Sequence, residues 1–224
     1  MNNGGSMGFD LHQYDHLDGE LDEKHFEKYV NALVARFHES EEGAALLLRD
    51  PDSGHWVKVF LDYGYWHIGV LPTRMTRVEA KEILTDLFPR KVAISSKEET
   101  AVVISELVAF WGFLEREHRL SHASSILAFL QELEPEFYGM MNDSSRFGMA
   151  KSFAMMGTEM GFDMTDEADM QRFMLYYNEH IANTASEPPG IQRALPPRRS
   201  DHLKRMCQSG KTRNQRKRMR QRKK

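Results

Sequence analysis

Between Phe26 and Ile181 apolar side chains keep returning at helical spacing, and beyond Ala182 they do so no longer. Phe26, Tyr29, Val30, Leu33, Val34 and Phe37 fall at i, i+3, i+4, i+7, i+8 and i+11, one stripe of an amphipathic helix. Strand signals along the chain are few, so this period points to helix packed on helix. Trp56, Val59, Phe60, Tyr63 and His67 continue it, after a short helix over Ala44 to Leu48 that the Asp50-Pro51-Asp52-Ser53-Gly54 turn stops.

Later helices declare their starts. Thr76 with Glu79, and Ser96 with Glu99, fit the S/T-x-x-E capping box, in which each side chain satisfies a backbone donor that the first helical turn leaves orphaned. The first opens a helix through Ile83, Leu84 and Leu87 that is expected to end before Pro89. The second runs through Ile104, Leu107, Trp111 and Leu114. Ser121 is placed to cap a helix bearing Ile126, Leu127 and Leu130, with Pro135 ending it or starting another turn. Asp143 or Ser144 starts the segment with Phe147, Ala150, Phe153 and Met156, which Gly161 terminates. Thr165 precedes the acids Asp166, Glu167 and Asp169 and the stripe Met170, Phe173, Met174, Tyr177 and Ile181.

These signals predict an all-α fold: a single helical bundle-like domain over residues 22–182, preceded by a mobile N-terminal arm (1–21) and followed by a Pro-rich linker (183–197) and a disordered basic C-terminal tail (198–224). The charge is divided along the same line. Of the chain's 30 Lys/Arg and 33 Asp/Glu, the last thirty-two residues hold fourteen of the bases and one acid, Asp201. A tail of +13 therefore follows a body of −16, although the whole chain sums to only −3. So dense a run of like charge repels itself, cannot bury itself, and suits a polyanion.

With 224 residues and the tail set aside, one ordinary domain has room for a real core. No apolar run approaches the roughly 18–20 residues that span a bilayer, and the N-terminus lacks the pattern of a signal peptide, so we expect a cytoplasmic protein with no transmembrane segment. In a eukaryotic source the terminal basic run would read as a nuclear-import address. The single cysteine, Cys207, excludes a disulfide within the chain and any multi-cysteine metal site.

Several residues invite chemistry. Glu115 and His118 form Glu-x-x-His, a carboxylate and an imidazole on one helix face, but a di-iron site also needs a second such pair and two more glutamates, and the chain has no second pair. A solvated helix end is the favoured reading. His12 and His16 stand among Asp10, Asp15 and Asp18, too short an arm for a specific metal site. His38-Glu39 lacks the second histidine of a zinc-protease helix, and Gly148 to Ser152 ends in Lys-Ser like a phosphate loop without that loop's glycines. No nucleophile elbow frames a serine. We therefore assign no catalytic residue, no metal and no cofactor. Nine of the chain's 14 methionines lie between Met140 and Met174, and their helical spacing favours core packing over an adaptable docking groove.

The segments FPRKV (residues 88–92), AFWGFLEREHRL (109–120) and RFGMAKSFAMMGTEMGFDMT (146–165) resemble an uncharacterised bacterial all-helical family, some members of which carry Lys/Arg-rich ends or a SEC-C zinc motif. The resemblance covers about half of the chain and implies no particular activity. CQSGK at Cys207 is similar to one edge of a SEC-C module, whose other cysteines are absent here, so its zinc does not carry over.

The expected function is that of a non-enzymatic RNA- or ribosome-associated protein. Its phosphate-binding residues are Lys211, Arg213, Arg216, Lys217, Arg218, Arg220, Arg222, Lys223 and Lys224, and its helical body meets a protein partner. From Asn178 onward there is no Phe, Tyr or Trp to stack on bases, so contacts would be to phosphate and largely blind to sequence. The alternatives are a protein-interaction or regulatory module with an autoinhibitory or targeting tail, and a helical enzyme of unknown reaction.

Overall fold

The structure is a computed structural model and describes residues 9–16, 21–94 and 96–182. Among them every regular element is helical, and the all-α class expected from the apolar spacing is what forms. The chain divides into two compact units: residues 1–89 with 94–143, and residues 90–93 with 144–224. The single body expected over 22–182 is thus helical along its described length but clusters into two parts. The linker 183–197 and the tail 198–224 lie outside the described residues.

The first unit begins with α1 (Glu23–Glu39), capped by Asp22, which accepts from His25 N–H, and α2 (Glu41–Arg49), capped by Ser40. The two helices meet so closely that a Cβ on Gly43 would lie 1.9 Å from the Phe37 carbonyl oxygen. α3 (His55–Tyr63) follows the Asp50–Gly54 turn and runs into a π-turn at Gly64–Ile68. α4 (Arg77–Glu82) starts on Thr76 with its full capping box, as its sequence predicts. It does not stop before Pro89. A π-turn at Ile83–Leu87 leads into a short α5 (Phe88–Lys91), so the missing proline N–H falls where the regular α ladder has already been interrupted.

α6 (Lys97–His118), capped by Ser96, and α7 (Ala123–Asn142) complete the unit. α6 is its axis. It packs against α2, α3 and α7, and Val103, Ile104, Leu107, Phe110, Trp111, Phe113 and Leu114 are all buried on it. That spread exceeds one stripe, as a helix surrounded by neighbours requires. Aromatic edges fill the gaps: Phe37 meets Phe110 at 5.6 Å, Phe60 meets Trp111 at 6.4 Å, and Tyr63 meets Phe88 at 5.5 Å. On the rim, Arg116 of α6 grips both carboxylate oxygens of Glu42 on α2 at 2.8 Å and holds that carboxyl down to about 2. α7 starts at His122 rather than on a Ser121 cap, and it passes straight through Pro135. Pro135 and Gln131, whose carbonyl loses its partner, are both exposed, so water satisfies the freed group.

Residues 9–16, part of the stretch expected as an arm, are packed on this unit. Leu11 is only 1% exposed, its carbonyl accepts the Tyr29 hydroxyl at 3.0 Å, and the rings of Phe9 and Tyr14 flank Tyr29 at 5.6 Å each. Asp15 accepts from the Thr73 hydroxyl at 2.5 Å, while its backbone oxygen accepts from Arg74. The segment forms a turn, not a helix, which is why no period marks it in the sequence. Residues 1–8 and 17–20 lie outside the described residues.

In the second unit, a 3-10 turn at Ser144–Arg146 precedes α8 (Met149–Glu159), and Gly148 rather than Asp143 or Ser144 is the N-cap. Gly148 N–H donates to the Arg90 carbonyl at 2.9 Å. Gly161, at φ +89, turns the chain after α8. Asp166, one of the acids expected at this helix start, caps α9 (Glu167–Tyr176) by accepting from the Ala168 and Asp169 N–H groups, and a π-turn at Tyr177–Ala182 follows. Phe173 is the centre of this unit, with the rings of Phe153 at 4.7 Å, Phe162 at 5.3 Å and Tyr177 at 6.1 Å around it.

Gly43→Ala is expected to destabilise the first unit by about 1–3 kcal/mol or more, because the added methyl meets backbone that cannot rotate away. Urea unfolding of the variant against the parent chain checks this, and an unchanged midpoint would mean that the α1–α2 crossing is looser than described.

Candidate functional site

The nine cations from Lys211 to Lys224 lie outside the described residues, so the structure gives them no geometry. The other sequence candidates are placed. Glu115 is exposed on the last turn of α6, while His118 is half-buried with its ring edge-on to Phe113 at 5.4 Å. Burial draws the His118 imidazole below its ordinary value. His12 pairs with Asp15 at 2.7 Å in the docked arm. Among the described residues no group of three or more His, Cys, Asp or Glu is arranged to hold a metal ion. Lys151 and Ser152 sit in the first turn of α8, not in a loop. The Lys151 ammonium is buried, 4.0 Å from the centroid of the Phe147 ring, and desolvation lowers its pKa to about 8.

Two features escaped the sequence reading. The first is Glu106, an acid on the axial helix with only 2% of its surface exposed. It stands on the buried stripe of α6, three residues after Val103 and four before Phe110, and a charge on such a stripe is the signal that could have flagged it. α3 has no cap of its own, because its N-cap is Gly54, held at φ +89. Glu106 supplies one from a distance: its Oε1 accepts the Val57 N–H at 2.9 Å. Gly54 is required twice over, since a Cβ there would be 2.8 Å from both His38 Nε2 and Val34 Cγ1.

Two effects oppose each other at that carboxyl. The N–H groups of Val57, Gly54 and Trp56 favour the anion, but burial outweighs them and pushes Glu106 up to about 7 from an ordinary value of 4.5. Between those values the folded chain keeps a proton that the unfolded chain has released. Stability from this group is therefore complete below about pH 4.5 and is lost as pH rises toward 7.

The second feature is the exposed apolar side chains of the second unit, which include four of the nine methionines expected to pack the core. Of the nine between Met140 and Met174, only Met141 is buried, and it belongs to α7. Met149 is 73% exposed, Met174 48% and Leu175 68%, and Met160 and Met170 also face outward. Met140, Met155, Met156 and Met164 are half-buried, Met164 lying over Gly157 beside Phe173, while Met149, Met160, Met170 and Met174 are exposed. Around them, residues 159–180 carry six acids (Glu159, Asp163, Asp166, Glu167, Asp169 and Glu179) and one arginine, Arg172. These exposed apolar side chains thus lie in a stretch of chain that is predominantly acidic.

What the geometry defines is an all-α fold, and among its described residues no three His, Cys, Asp or Glu side chains gather to hold a metal ion. No family model, no curated protein and no solved structure matches the chain. Its function therefore has to be argued from its own residues.

Glu106→Gln keeps an acceptor for Val57 N–H and removes the charge. Its stability relative to the parent chain is expected to rise between pH 5 and pH 7.5, read as the difference in urea midpoints at the two values. A difference that stays constant across the window would disprove the buried-carboxyl assignment.

Proposed function

We propose that this protein is a non-enzymatic RNA-associated protein that holds phosphates with its C-terminal tail and meets a protein partner through its helical body. The observation that carries the reading is the charge division: fourteen bases against one acid in residues 193–224, on a chain whose remainder is strongly acidic. An acidic body is repelled by a polyanion, so affinity for RNA has to come from the tail, and a tail this basic gains from the counterions that RNA releases. No Phe, Tyr or Trp follows Tyr177, which favours phosphate contact over base readout. The outward methionines of the second unit support the protein-binding half of the proposal.

Nine bases lie between Lys211 and Lys224. If five to eight of them neutralise phosphates on single-stranded RNA, log affinity is expected to fall with log salt at a slope of roughly −3.5 to −5.6. Removing residues 211–224 abolishes most binding in this reading. Replacing Arg216, Lys217, Arg218, Arg220 and Arg222 with Gln lowers both affinity and slope. A salt series on the three proteins with mixed-sequence RNA and DNA decides it: undiminished binding after the deletion would move the site to the body, and no binding by the full chain would end the proposal.

A further inference from the structure

The exposed face of α9 lacks an occupant within the described chain, and the chain carries a segment suited to it. Met170, Met174 and Leu175 are exposed on α9, and residues 159–180, which include this helix, carry the six acids counted above. The segment His202-Leu203-Lys204-Arg205-Met206-Cys207 holds the apolar Leu203, Met206 and Cys207 with bases between them, and the nine cations of 211–224 follow it. The signs and the apolar content are complementary.

Connectivity also favours this pairing. The π-turn that ends at Ala182 belongs to the same unit as α9, and twenty residues separate Ala182 from Leu203. A chain of that length has a typical end-to-end reach of about 25 Å. A segment tethered so near its target meets it at an effective concentration on the order of millimolar, which makes even a weak contact populated.

We propose that in the free protein residues 203–224 dock in cis on the Met170–Met174–Leu175 face of α9, and that RNA, by taking the tail's cations, releases it and opens that face to a protein partner. This rests on the tail being the RNA-binding element. It gives the acidity of the second unit a role: a reversible competitor for the same charges that engage phosphate. Arg172 is the one base on the face and the residue that the tail must avoid.

Cys207 is the only cysteine, so a benzophenone-maleimide reports the position of the tail in the full-length chain without engineering. On illumination the expected attachments concentrate between Met160 and His180, with a yield that tenfold dilution leaves unchanged. The charge-only variant Glu159→Gln/Glu167→Gln/Glu179→Gln, altered at exposed positions, is expected to lower the yield roughly three- to tenfold, as loss of three surface ion pairs would. The variant Met170→Ser/Met174→Ser removes the apolar half of the face, and circular dichroism verifies its helix content. Poly(U) is expected to suppress the attachments and to bind both variants more tightly than the parent chain.

Attachments scattered over the body, or a yield that falls on dilution, would overturn docking in cis while leaving tail-dependent RNA binding, read in the salt series, intact. Attachments on α9 that persist while poly(U) is bound through the tail would overturn the release. Absence of tail-dependent poly(U) binding in parent and variants alike would remove the underlying reading, and the proposal with it.

Discussion

The first unit depends on α6 being buried on more than one side. A helix that puts Val103, Leu107, Phe110, Trp111 and Leu114 out of water must be surrounded, and α2, α3 and α7 are the elements that surround it. Burying large aromatic and aliphatic side chains supplies the main favourable free energy, at roughly 1.5–3 kcal/mol for each fully buried side chain. The same burial gives Glu106 its unusual position. A carboxylate on this helix has to be either desolvated or removed, and here it is desolvated and set against the N-terminus of α3, where backbone donors point at it. One side chain thus ties the axial helix to the start of a neighbour that glycine leaves uncapped.

The second unit follows the opposite logic. It is small enough that few side chains besides Phe173, Val92 and Lys151 are buried in it, and several apolar ones stay at the surface. A unit built this way has adhesive surface as a direct consequence of its size. Its acids keep that surface hydrated and repel other copies of itself, while favouring a basic partner.

Much of the fold was legible because helices signal themselves locally. The stripe from Phe26 to Phe37, the Thr76–Glu79 box, the Ser96 cap and the turn at Gly161 all reside within a few residues, and each forms where its spacing predicts. Misplaced boundaries share a cause. Pro89 and Pro135 are helix breakers only when the carbonyl they disengage has no other partner, and that depends on π-turns and water. Likewise, Gly148 displaced Asp143 and Ser144 as a cap because the Arg90 carbonyl, distant in sequence, receives its N–H.

By itself the sequence determined the all-α class, the capped starts at Thr76 and Ser96, and the division of charge along the chain, because these are properties of neighbours along the chain. Only the tertiary structure decided which apolar residues find an interior. Leu11 does, through a turn with no period, and Met174, on a well-formed stripe, does not. Only it, too, could bring Glu106 to the Val57 amide across forty-nine positions of sequence. Burial is a property of how many neighbours a site collects in space, and spacing along one helix carries no count of them.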